Sequence, residues 1–143
     1  GVGSRMHSKD LPKQFLKMHG KPIIIHTLEL FEDNPEIDNI VVSCVADWID
    51  YLKKLVGKYN LKKVKLIVKG GNSGQESIFN GLKAAEIVGD RKNDIVLIHD
   101  GVRPLINSKT ISDNIASVKK MALLLLGFLL QRSPCRPCPN VRR

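Results

Sequence analysis

Three short stretches of the 143-residue chain combine residue types that suit phosphate chemistry. Gly1-Val2-Gly3-Ser4-Arg5-Met6 sets glycines beside an arginine, and Lys13 follows in Leu11-Pro12-Lys13-Gln14-Phe15. Glycine lets backbone N–H groups approach phosphate oxygens without a Cβ in the way, and a nearby fixed cation neutralises charge. Arginine grips two phosphate oxygens at once, whereas lysine supplies a mobile point charge. The second stretch is Gly70-Gly71-Asn72-Ser73-Gly74-Gln75-Glu76-Ser77, and the third is His99-Asp100-Gly101-Val102-Arg103. The first stretch is not a Walker loop, because no G-K-[ST] follows, nor a dinucleotide fingerprint, because the third glycine is absent. His99 has no His or Cys partner at metal-ligand spacing and reads as a structural turn residue.

The elements that must position these stretches follow from apolar spacing. Residues 1–14 lack periodicity and read as a loop. Pro22 opens a helix with Ile24, Leu28 and Phe31 at helical spacing and Ile25 and Leu30 filling its face, ended by Asn34-Pro35. Asn39–Val45 is a β-branched run that predicts a buried strand. Asp47–Tyr59 has an amphipathic helical stripe of Trp48, Tyr51, Leu52, Leu55 and Val56. Lys65–Val68 predicts a second strand, and Gln75–Val88 a helix with Ile78, Leu82, Ala85 and Ile87 on or near its inner face. Asp94–Ile98 predicts a third buried strand, and Ser108 or Thr110 could cap a last helix through Val118. Strands alternating with helices imply crossover connections and an α/β fold, mostly parallel, with helices on both faces. In such sheets ligands gather at the carboxyl ends of the strands, where the second and third stretches fall. A sheet of this kind that starts on a Gly-rich loop is expected to be incomplete, its first strand lying outside the chain.

Composition narrows the field. Hydrophobic residues at 43% and charged residues at 26% suit a globular domain rather than a disordered chain. The formal charge is +9, but four of the 23 basic residues lie in the acid-free last twelve positions. The remaining surplus suits anionic small molecules. Aromatics are 5% and do not interleave a basic run, which argues against a nucleic-acid face. Three cysteines make no disulfide framework, and Cys44 reads as a small core residue. No secretory signal opens the chain. Residues 121–143 form a different regime, expected to be unrelated to the domain of residues 1–120. The apolar run Met121–Leu130 is too short for a bilayer, which needs about 20 residues. Cys135-Arg136-Pro137-Cys138 could suggest a redox or metal module, but a single C-x-x-C in Pro-rich surroundings carries little.

The stretches in combination, with Leu11-Pro12-Lys13-Gln14-Phe15, Lys69-Gly70-Gly71 and His99-Asp100-Gly101-Val102-Arg103-Pro104 in order, carry a resemblance. The chain resembles the N-terminal portion of the cytidylyltransferase family that includes ribitol-5-phosphate and 2-C-methyl-D-erythritol 4-phosphate cytidylyltransferases. The resemblance covers residues 1 to about 120 and implies a Rossmann-like nucleotidyltransferase sheet. It implies attack of a phosphate oxygen on the α-phosphorus of CTP, with pyrophosphate leaving. By the same resemblance Arg5 and Lys13 stabilise the transition state, and Gly1, Val2 and Gly3 cradle the nucleotide. The segment Gly70, Gly71, Asn72, Ser73, Gly74, Gln75, Glu76 and Ser77 would recognise CTP, its backbone beside Gly71 reading a pyrimidine edge. Asp100, with Gly101, would hold Mg²⁺ and nucleotide, and Arg103 would orient Asp100 or face the second substrate.

Relatives commonly carry Arg where this chain has Gly74, so that contact is missing or supplied differently. Leu11, the four residues between Met6 and Leu11, and Val102 favour a ribitol-phosphate acceptor over methylerythritol phosphate. The family's acceptor-phosphate residues, second metal-binding Asp and homodimer arm lie beyond residue 120, and the chain has no matches to them. The resemblance thus implies CTP and a polyol phosphate as partners, in the cytoplasm, with no membrane or nucleic acid. The alternative is an inactive or binding-only nucleotide-fold fragment.

Overall fold

The computed structural model describes residues 11–90 and 94–128, residues 122–128 by backbone alone. Lys13–Phe15 is a single 3-10 turn closed by the Phe15 N–H on the Pro12 carbonyl at 2.9 Å. Phe15 is buried, stacks on Trp48 at 5.1 Å between centroids and meets the edge of Tyr51 at 5.2 Å. Such aromatic contacts anchor the turn that carries Lys13. A hairpin of two-residue strands follows, β1 (Lys17–Met18) antiparallel to β2 (Lys21–Pro22). His19 and Gly20 at its corner have φ of 51° and 79°, the paired positive values of a type I′ turn. Strands of two residues are too short to leave a period-two signature, so this hairpin was not foreseen.

Helix α1 (Ile23–Glu32) begins after Pro22 and stops ahead of Asn34-Pro35, as its spacing predicts. Strand β3 (Ile40–Cys44) leads through a 3-10 turn at Ala46–Trp48 into α2 (Ile49–Lys58) and then β4 (Val64–Lys69). The two strands pair in parallel from Val41↔Leu66 to Cys44↔Lys69. Helix α3 (Gly74–Val88) leaves the carboxyl end of β4, and α4 (Ser108–Phe128) closes the described chain.

Alternation along β3 decides which helix covers which face. Ile40, Val42 and Cys44 join one core with Phe15, Ile24, Ile25, Leu28, Leu52, Leu55 and Leu61, contributed largely by α1 and α2. Ile25 and Leu52 are wholly buried there, each worth about 1.5–3 kcal/mol. Ser43 points the other way, its hydroxyl donating to the Ser77 carbonyl at 2.8 Å, with Gly81 of α3 against it. The α/β architecture with a parallel sheet and helices on both faces is therefore present.

Three expectations need correction. Asp94–Ile98 is not a strand: among the described residues nothing pairs with it, and Val96 and Ile98 are 51% and 60% exposed. Its apolar alternation is real, but a strand exists only as part of a ladder. On α3 only Ala84 is fully buried, while Ile87 is 78% exposed. The helix turns that flank away from the sheet, leaving Ile78, Leu82 and Ala85 to line a cleft. Finally, α4 runs past Val118 to Phe128, through Met, Ala and Leu residues of high helix propensity.

Candidate nucleotide-binding cleft

The loop between β4 and α3 is built by the first turn of the helix. The Gly70 N–H extends the ladder onto the Cys44 carbonyl at 2.7 Å. Ser73 caps α3 by accepting the Glu76 N–H at 3.1 Å, and the Glu76 carboxylate accepts the Asn72 N–H at 2.8 Å. This is a capping-box arrangement displaced by one residue. The Ser77 hydroxyl accepts the Gly71 N–H at 2.9 Å and donates to the Ser73 carbonyl at 2.8 Å. Asn80 ties the helix to the end of β4 through the Lys69 carbonyl at 3.2 Å.

The loop at residues 99–104 is tied to α1. Thr27, buried among the apolar residues of that helix, donates to the Gly101 carbonyl at 3.1 Å. Asp100 accepts the Val102 N–H and pairs with the Arg103 guanidinium, each at 3.3 Å. Arg103 is largely and Asp100 half exposed, so the pair is worth about 0–1 kcal/mol and biases the Asp100 rotamer rather than holding the fold. His99 packs against the Phe31 ring at 5.1 Å, and burial pushes its pKa down, only partly offset by the neighbouring Asp100. Further back, the fully buried Asn34 donates to Ser108 at 3.0 Å and accepts the Glu36 N–H at 2.9 Å. That side chain joins the end of α1 to the start of α4.

Lys13, Gly74, Ser77, Asp100 and Gly101 open onto one cleft of about 1110 Å³. Cys44 at the end of β3 and Ile24 of α1 also line it. Lys13 makes no ion pair among the described residues and is half-buried at the rim. Gly70, Gly71, Asn72, Ser73, Gln75 and Glu76 do not line the cleft but form the loop and helix turn beside its mouth. Arg103 faces a neighbouring cavity of about 550 Å³ with Leu105 and Thr110, and His99 borders both spaces. Gly1, Val2, Gly3 and Arg5 lie outside the described residues, as do Cys135 and Cys138.

Among the described residues no cluster of three or more acidic, His or Cys side chains could cage a metal. A cage is not required of Mg²⁺, which is often held by one or two carboxylates together with waters and substrate phosphates. Asp100, half exposed at the cleft, fits that limited part. Sequence reasoning missed Thr27 and Asn80, which position the two loops. The available signal for Thr27 was a hydroxyl at a core spacing of α1, between Ile24 and Leu28.

A parallel sheet whose carboxyl end carries a Gly-rich turn and a helix N-terminus, beside a cleft lined by a lysine and a carboxylate, is the arrangement by which α/β proteins bind anionic ligands. The family model described as IspD, 2-C-methyl-D-erythritol 4-phosphate cytidylyltransferase, matches residues 1–127, and the chain belongs to that family. It is 57% identical over 120 residues to a ribitol-5-phosphate cytidylyltransferase of Streptococcus agalactiae, covering 84% of this chain and 50% of the relative. A protein of the same description from Vibrio parahaemolyticus is 58% identical over 119 residues, with 83% and 50% covered. A 2-C-methyl-D-erythritol 4-phosphate cytidylyltransferase of Clostridium novyi is 44% identical over 120 residues, with 83% and 49% covered. The chain thus spans about half the length of the curated relatives it matches. Among solved structures it resembles 4-diphosphocytidyl-2C-methyl-D-erythritol synthase from Anaerococcus prevotii, at TM-score 0.64 and 29% identity. That match covers 75% of this chain and 46% of the other.

Proposed function

We propose that this chain is the nucleotide-binding part of a cytidylyltransferase that moves CMP from CTP to ribitol 5-phosphate. The observation that carries the reading is the shared cleft: Lys13, Gly74, Ser77 and Asp100 all line one space of about 1110 Å³. In the reaction an oxygen of the acceptor phosphate attacks the α-phosphorus of CTP. The bond between that phosphorus and the oxygen bridging to the β-phosphate breaks, and pyrophosphate leaves with the electron pair. Negative charge spreads over the non-bridging oxygens, so the protein's work is to place cations and N–H dipoles around them.

Lys13 reaches that space from a turn pinned by Phe15 and supplies a mobile positive charge. The N-terminus of α3 adds the favourable end of a helix dipole at Gly74. Arg5 joins Lys13 in this reading by its place in the family motif. Asp100 would hold Mg²⁺, which when bound supplies further charge neutralisation to the phosphates. The acceptor preference follows the identity levels, 57–58% for the ribitol-phosphate relatives against 44% for a methylerythritol-phosphate one. A cytoplasmic activity on soluble phosphates goes with this reading, and a homodimer is the assembly it proposes for a protein of full family length. Methylerythritol phosphate is the second reading, favoured by the family description and the structural neighbour.

Pyrophosphate release from CTP and Mg²⁺ with each acceptor tests the assignment. Release with ribitol 5-phosphate alone supports it, and release only with methylerythritol phosphate replaces the acceptor. CTP binding by calorimetry without release under any acceptor would make the chain a binding-only fragment. In a protein of full family length, Arg5→Ala or Lys13→Ala is expected to lower turnover at least about a hundredfold with little effect on folding. Unchanged turnover refutes the assigned role.

A further inference from the structure

We infer that Thr27 tunes how strongly this cleft couples a nucleotide to a divalent cation, by pinning the loop that carries Asp100 onto α1; the inference rests on the nucleotide reading above. Ile24, Thr27 and Phe31 stand at i, i+3 and i+7 of α1, on one face of the helix. Each meets the loop. A Cβ at Gly101 would find Ile24 at 3.7 Å, the Thr27 hydroxyl donates to the Gly101 carbonyl at 3.1 Å, and Phe31 packs against the His99 ring at 5.1 Å. Asp100 is thus held between two anchored neighbours. Its carbonyl accepts the Arg103 N–H at 3.1 Å and its carboxylate the Val102 N–H at 3.3 Å, so the turn that follows closes on the same residue. A carboxylate aimed by fixed neighbours loses less freedom when it captures a cation.

Packing alone does not account for a hydroxyl at position 27. The side chain is 2% exposed among Ile24, Leu28 and Phe31, and a buried hydroxyl is unfavourable unless it is hydrogen-bonded. Helical threonines commonly meet that need locally, on the carbonyl four residues back. Here the Ile23 carbonyl stands at 3.3 Å, yet the shorter contact is to Gly101, 74 residues along the chain. The hydroxyl therefore has two acceptors to choose between. When the loop lifts, its proton turns back onto Ile23, and the partly exposed Gly101 carbonyl takes water. The contact biases the loop toward the cleft without locking it, which suits a carboxylate that takes up and releases a cation with each nucleotide. Thr27 acts through Asp100 and is a positioning residue.

The test is CTP binding by calorimetry on the whole chain, once with saturating Mg²⁺ and once with divalent cations removed by EDTA. The ratio of the two affinities is the coupling. Thr27→Val keeps the shape and removes the hydroxyl. It should lower the ratio about two- to tenfold, the strength of one ordinary hydrogen bond, by weakening binding with Mg²⁺ alone. Thr27→Ser keeps the hydroxyl and should keep most of the ratio. Asp100→Asn should lower the ratio further, and adding Thr27→Val to it should change nothing more, because both act through one carboxylate. A Thr27 that only supports the fold would weaken binding equally with and without Mg²⁺, and that result overturns the inference. So does a ratio that falls as far in Thr27→Ser as in Thr27→Val. If the unsubstituted chain, folded by circular dichroism, binds CTP equally well in both conditions, Asp100 loses its cation and Thr27 its role, while the nucleotide reading stands. Binding in neither condition sinks the nucleotide reading as well.

Discussion

Gly74 stands at the first position of α3, where a Cβ would meet no atom within 4 Å. Its surroundings therefore admit an arginine in place of the glycine. Gly74→Arg exchanges a poor helix former for a good one, worth up to about 1 kcal/mol. A cation at a helix N-terminus opposes that by about 0.3–1 kcal/mol, so stability should hardly move. An added cation at the cleft should instead raise CTP affinity by about three- to tenfold, read by calorimetry. Cys44 belongs to the same scale. Burial pushes its thiol up, with the Val45 backbone offsetting only part, so the reactive thiolate is scarce at neutral pH. Native Cys44 should be alkylated by iodoacetamide at least about tenfold more slowly than in the denatured chain, as read by peptide mapping.

Among the elements, α1 and the loops it holds matter most. The helix carries Thr27 to the Gly101 carbonyl and ends on Asn34, which bridges to Ser108 and caps the Glu36 N–H. Asn34→Ala would remove both hydrogen bonds made by a fully buried side chain. The expected cost is about 1–3 kcal/mol, a fall of roughly 5–10 °C in the thermal midpoint by calorimetry. The elements themselves were largely readable from apolar spacing. Pro22 and Asn34-Pro35 bracket α1, and the β-branched run at residues 40–44 is a strand. Residues 94–98 were not readable, because a strand's apolar alternation does not say whether a neighbour exists to pair with. Ile87 misled for a related reason: helical spacing names a stripe, but the sheet decides which part of it is covered. In the cleft, Lys13, Ser77 and Asp100 could be picked out by residue type and motif order. Thr27 and Asn80 could not, since a single hydroxyl or amide on a helix has no pattern until its long-range partner is in place.

For the molecule as a whole, β3 supplies a test that needs no ligand. The Ile40 N–H and the Cys44 carbonyl both face β4, so by alternation the polar groups of Val41 and Ser43 face the opposite edge, which no described strand covers. That edge borders the cleft, with the apolar Asp94–Ile98 segment across from it. Deuterium should therefore enter the strand in an alternating pattern. The Val41 and Ser43 amides should exchange at least about tenfold faster than those of Val42 and Cys44, as nuclear magnetic resonance at neutral pH can record. Uniform protection along the strand would mean that its outer margin is shielded after all. An every-other-residue pattern would make the strand a gauge: a peptide or polypeptide lying down along it would slow Val41 and Ser43 selectively, while a nucleotide at the carboxyl end would leave most of that pattern untouched.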